Sequence, residues 1–149
     1  MSVAADVPLR KRIGSARIIE GSQAIAASEI NLSKIQKVIN RALVDLPALT
    51  TIAVVEVTTA NCLAHFSRSR GFDPVATAAH HAETVRQQQQ ALATLPKRGE
   101  RLEDILIPLR KQLHLIRLSK NGQWFVYLAV KAQDTSLALA REVLKSIIF

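Results

Sequence analysis

An α+β fold, in which helices pack on a mostly antiparallel sheet, is what the order of apolar patterns along this chain predicts. Two observations carry the prediction. The hydrophobic period changes in the order helix, two strands, helix, three strands, helix, and the neighbouring strands are joined by turn signals rather than by helical crossovers. The composition agrees: 149 residues, 48% hydrophobic and 21% charged, suit one domain with a core of its own.

Residues 1–28 have no sustained period and carry Arg10, Lys11, Arg12 and Arg17 among small residues, so they read as a mobile basic tail with a short helical piece at Ser22 to Ala27. The folded domain is expected over residues 29–149. Ile35, Val38, Ile39, Ala42, Leu43 and Leu46 recur at three- and four-residue steps after a cap at Asn31 or Ser33, and Pro47 ends this first helix. Thr50 to Val57 is rich in β-branched residues and Cys62 to Phe66 returns as its hairpin partner, with Asn61 as the residue suited to a left-handed turn.

Asp73 followed by Pro74 is a cap and first-turn pair. It opens a long helix on which Val75, Ala78, Ala79, Ala82, Val85 and Leu92 fall to one side, and Pro96 stops it. Three strands follow, at Ile105 to Leu109, Leu113 to Leu118 and Gln123 to Val130. Asn121-Gly122 turns the last pair, and Pro108 confines the first strand to a sheet edge. Asp134 or Thr135 caps a closing helix with Leu137, Leu139, Ala140, Val143, Leu144 and Ile147 apolar.

Little of this points to chemistry. The five glycines stand singly, so no loop can cradle a phosphate, and no cofactor is expected. Adjacent His80 and His81 project about 100° apart on a helix, unlike a helical metal pair, and no metal site is expected. Cys62 with His65 or His114 would make a nucleophilic pair, but a lone cysteine in a strand reads better as a small core residue. Glu100, Glu103 and Asp104 alternate with Lys97, Arg98 and Arg101, the pattern of a solvated loop. No catalytic residue is assigned, and no enzyme activity is expected.

The formal net charge of +8 predicts an anionic partner. Arg10, Lys11, Arg12, Lys97, Arg98, Arg101, Arg110 and Lys111 form the candidate surface for it, extended by Arg68, Arg70, Arg117 and Lys120. A basic nucleic-acid-binding module is the alternative function on these residues, weakened by an aromatic content of 4%. With one cysteine, no signal peptide and no apolar run of about 20 residues, a cytoplasmic protein without a membrane span is expected.

The small residues Ala76, Ala78, Ala79 and Ala82 allow close approach either of another helix, including a symmetry mate, or of the chain's own sheet. Arg86 to Gln90 then reads as a solvated face. The runs Leu46-Pro47-Ala48-Leu49, Thr51-Ile52-Ala53-Val54-Val55, Asn61-Cys62-Leu63-Ala64 and Ser136-Leu137-Ala138-Leu139-Ala140-Arg141, in this element order, resemble the roadblock/dynein light-chain family from about Leu32 to Ile148. Asn61 stands where many relatives have glycine, and the basic tail lies outside the pattern.

The resemblance implies a profilin-like α-β-β-α-β-β-β-α domain, its five-stranded antiparallel sheet lying between helices. It further implies a noncatalytic homodimer or heterodimer joined through the second helices and third strands, here at Val75, Ala78, Ala79, Ala82, Val85, Gln89, Ile105 and Ile107. Members of this family serve as adaptors and regulators, bacterial ones partnering Ras-like small GTPases and others sitting in dynein or lysosomal scaffolds. A small GTPase or a related multiprotein assembly is therefore the expected partner.

Overall fold

The computed structural model describes residues 32–96 and 99–148. In chain order the elements are α1 (Leu32–Asp45), β1 (Leu49–Glu56), β2 (Cys62–Ser67), α2 (Pro74–Ala93), β3 (Asp104–Pro108), β4 (Gln112–Leu118), β5 (Trp124–Lys131) and α3 (Leu137–Ile147). All strand pairs are antiparallel, and the five strands lie in the order β2-β1-β5-β4-β3. The predicted fold class and element order are therefore those of the structure. The expectations for the tail, its short helix and Asn31 fall outside the described residues.

Strand β5 sits at the centre of the sheet, which explains its unbroken apolar sequence: every residue from Trp124 to Val130 is buried. The strand arrives there through the Asn121-Gly122 turn, where Gly122 has φ 72° and its N–H donates to the Ser119 carbonyl at 2.9 Å. Because β2 and β3 are opposite edges, α2 carries the chain across the whole sheet. Its start is fixed locally, with Asp73 Oδ1 accepting from the N–H groups of Val75 and Ala76 at 3.0 and 3.1 Å.

The sheet is covered unequally. On one face α1 and α3 together seal a core that includes Ile35, Ile39, Ile52, Val54, Leu115, Val126, Leu128 and Leu144. On the other face α2 lies alone over Ala53, Val55, Cys62, Ile116, Leu118, Phe125 and Tyr127. Ala78 and Ala82 are the residues at this contact, and their small side chains let the helix lie close on the strands.

Several local expectations are corrected. The cap of α3 is Ser136, whose hydroxyl accepts from Leu139 N–H at 3.1 Å, and not Asp134 or Thr135; Thr135 is buried. Ser33 lies inside α1 and does not cap it. Helix α2 ends at Ala93 with Thr94 as its cap, before Pro96 is reached. In the β1–β2 turn Ala60, not Asn61, holds the left-handed conformation, at φ 62°.

Candidate functional site

The α2 face gathers the side chains that depart most from a simple core. All four histidines of the chain belong to it: His80 and His81 on the helix, His65 and His114 on strands beneath. His81 stacks on Tyr127 with ring centroids 4.1 Å apart, and His114 meets the same ring edge-on at 5.5 Å. His114 also contacts Tyr127 Oη at 3.3 Å through Nδ1 and Gln112 Oε1 at 2.7 Å through Nε2. Burial, then the nearby His114 and His80, pulls the His81 pKa down to about 4. Burial also lowers that of His114 and raises the Tyr127 phenol to about 12.

Beside this cluster the edge strand β3 places Ile105 and Ile107 on the α2 side, each half-buried, opposite Ile116 and His114. Leu109 continues the row beyond the strand and is 47% exposed. At the start of α2, Val75 is 69% exposed and Ala79 is exposed. Ile105, Ile107 and Leu109 form an apolar edge that α2 leaves partly open, and Val75 and Ala79 are apolar residues on the outer side of the helix.

Hydrogen bonds fix which backbone groups this edge presents. Leu118 N–H donates to the Glu103 carbonyl at 2.9 Å and Leu109 N–H to the Gln112 carbonyl at 2.8 Å. By the alternation of an antiparallel ladder, Ile105 and Ile107 bond inward, and Asp104, Leu106 and Pro108 present their backbone outward. Proline has no N–H, so strand addition here lacks one donor, and side chains must contribute more of any contact.

The structure sorts the residues singled out from sequence. Ile105 and Ile107 lie on the α2 side of the edge strand β3, whereas Val75 and Ala79 lie on the exposed side of α2, about half a turn round the helix from His81. Ala78, Ala82 and Val85 are fully enclosed against the chain's own sheet. Gln89 is half-buried and donates to the Gly122 carbonyl at 3.3 Å. The basic residues do not form one face: Arg110 and Lys111 lie in the β3–β4 turn, whereas Arg101 lies at the other end of the sheet, donating to the Lys120 carbonyl at 2.9 Å. Arg10, Lys11, Arg12, Lys97 and Arg98 fall outside the described residues.

Three polar groups have roles that the sequence did not announce. Arg86 is no solvated side chain: its guanidinium donates to the Val57 carbonyl at 2.7 Å and pairs with Glu83 at 2.8 Å, tying α2 to the end of β1. Asp104 is no loop carboxylate either. It accepts from Arg117 at 3.1 Å and from Arg141 at 2.8 Å, linking β3, β4 and α3. Arg117 is thereby removed from the basic surface, its side chain only 12% exposed, and its Nε is buried without a hydrogen-bond partner among the described residues.

The Cys62 and histidine pair is not assembled. Cys62 is buried, its thiol is pushed up to about 12 by burial, and it points to the Ala64 carbonyl at 3.5 Å. His65 lies against Phe72 and His114 against Tyr127. Among the described residues no group of three or more His, Cys, Asp or Glu is arranged to hold a metal ion, and no helix is long and apolar enough to cross a membrane.

Solved structures share this architecture. Myxococcus xanthus MglB superposes with a TM-score of 0.69 over 80% of this chain and 85% of its own, at 16% identity. A structure described as MglB with tetrameric arrangement gives 0.64 over 78% and 82%, at 12% identity. A roadblock/LC7 domain from Streptomyces avermitilis gives 0.54 over 68% and 84%, at 12% identity.

The chain has the roadblock fold. No protein-family model matches the sequence, and no curated protein matches it. The roadblock likeness at these identities is one of architecture, and it leaves the function to be argued from the surfaces of this chain.

Proposed function

We propose that this roadblock-fold chain is a noncatalytic homodimeric module that regulates or scaffolds a Ras-like small GTPase or a related multiprotein assembly. The observation that carries the dimer is the unequal covering of the sheet. Two helices seal one face; on the other, one helix leaves Ile105, Ile107 and Leu109 uncovered at the sheet edge near His114 and presents Val75 and Ala79 on its own outer side. An apolar strip rimmed by polar groups marks a protein contact, and a second copy supplies a self-complementary strip by two-fold symmetry. The interface then uses the outer flank of α2 and the side chains of β3, while Ala78, Ala82 and Val85 hold the helix on its own sheet.

The GTPase partner rests on the roadblock-family resemblance, and the protein acts on it by binding one nucleotide state more tightly than the other. The test has two parts. Light scattering on the native chain and on Ala79→Arg reads the dimer. Titration against purified Ras-like GTPases of the same genome, loaded with GDP or a nonhydrolysable GTP analogue, reads the partner. A dimer lost in the variant, and a state-dependent affinity for one GTPase, support the proposal; a native monomer, or equal affinity of every GTPase for this chain and for an unrelated basic protein, contradicts it.

A further inference from the structure

A second surface lies at the end of the sheet where β1 and β4 begin and β2 and β5 finish. A cleft of about 590 Å³ opens there, with Pro47, Ala48 and Leu49 on one side and Arg68, Gln112 and Lys131 on the other. Its volume is in the range of ligand-holding clefts. Arg68 is preset: its guanidinium donates to the Leu49 carbonyl and lies 5.5 Å from the centre of the Phe66 ring. The Lys131 ammonium is exposed and makes no hydrogen bond or ion pair with the described residues.

The positive potential extends beyond the cleft. Lys111 precedes Gln112, which pairs with Lys131 in the sheet, and the Lys111 carbonyl accepts from Ala132 N–H at 3.0 Å, so the backbone brings Arg110, Lys111 and Lys131 to one corner of the sheet. Arg70 follows Arg68 on the β2 side. Against these five cations stand Asp134 in the cleft wall, Asp73, which caps α2, and Asp45, which pairs with Arg41.

We propose that this cleft and its basic rim hold an acidic segment of a partner protein. A small anion would need Arg68 and Lys131 alone, whereas an extended run of carboxylates also engages Arg70, Arg110 and Lys111. Single-stranded nucleic acid fits less well, because stacking of bases needs exposed rings: Phe66, Trp124, Phe125 and Tyr127 are buried, and the half-buried Phe72 packs on His65. The cleft is built within one protomer, so the inference does not depend on the dimer.

The experiment is fluorescence anisotropy of a labelled hexaglutamate peptide titrated with the full chain at low salt, with hexaglutamine as the neutral counterpart. A Lys111→Glu/Lys131→Glu double variant is compared with Lys37→Glu/Lys120→Glu, which changes the net charge equally at exposed positions away from the cleft. Melting curves confirm that both doubles keep the fold. The expected result is binding of hexaglutamate only, weakened on the order of tenfold by the cleft double and within about twofold of native for the control. Equal weakening by both doubles, absence of binding, or tighter binding of an oligo-dT of the same charge lost in the same double would overturn the proposal.

Discussion

The two faces of the sheet carry the same kind of strand residue but are finished in different ways. Under α1 and α3 the side chains of β1, β4 and β5 meet large aliphatic partners from two helices, and the core there is thick and almost wholly apolar. Under α2 the partners are Ala78, Ala82 and Val85, so the layer is thin, and polar staples, Arg86 to Val57 and Gln89 to Gly122, add to the apolar contact that holds the helix. A thin layer under one helix leaves room at the sheet edge and keeps titratable rings near water. The contrast teaches that the closed face has its apolar surface fully matched, while the α2 face is the one on which the proposed dimer contact is built.

The contrast breaks most sharply by truncation in the closed core. Leu128 is fully buried there, and Leu128→Ala is expected to cost about 2–5 kcal/mol in urea unfolding, because the surrounding strands cannot close the cavity. On the α2 face the sensitive change runs the other way. Ala82→Leu drives a large side chain into the close helix–sheet contact and is expected to cost about 1–3 kcal/mol, whereas Ala79→Leu, three residues earlier on the exposed flank, stays within about 0.5 kcal/mol of native.

A smaller effect sharpens the electrostatic side of the comparison. The His81 pKa is depressed from 6.5 to about 4 in the folded chain, so the unfolded chain takes up its proton first as pH falls. The stability this neutral imidazole contributes is complete above pH 6.5 and is lost as pH falls toward 4. The melting temperature is therefore expected to decline over that window, and His81→Phe, which keeps a ring on Tyr127, to flatten the decline. An unchanged slope in the variant would place the pH sensitivity elsewhere, with His114, whose pKa burial also lowers, as the first alternative.

The smallest effect concerns the β1–β2 turn. Ala60 holds φ 62°, a conformation that costs an L-residue about 1 kcal/mol and glycine very little. Ala60→Gly is expected to stabilise the chain by up to about 1 kcal/mol in the same unfolding assay.

How much of this was legible in the sequence follows from which signals are local. Helical and strand periods, the Asp73-Pro74 start and the Asn121-Gly122 turn are local, and they yielded the element order and the antiparallel sheet. The orientation of α2 is not local: Ala76, Ala78, Ala79 and Ala82 are equally small, and only the sheet beneath decides that Ala78 and Ala82 point inward. The same holds for Arg86, whose partner is a backbone carbonyl 29 residues away, and for Asp104, which meets Arg141 37 residues on. Charged residues in a loop-like run read as solvated because composition says nothing about partners that distant. Asn61 misled for a related reason, since the turn conformation fell on its neighbour Ala60.

The central claim, that the flank of α2 left exposed by the thin layer joins two copies of the chain, is tested most directly by molar mass. Light scattering on the purified protein is expected to give about twice 16.4 kDa for the native chain and close to 16.4 kDa for Ala79→Arg, with the variant's melting temperature in dilute solution showing a folded protomer. A native chain that stays at 16.4 kDa, or an Ala79→Arg variant that remains at twice that mass, would contradict it.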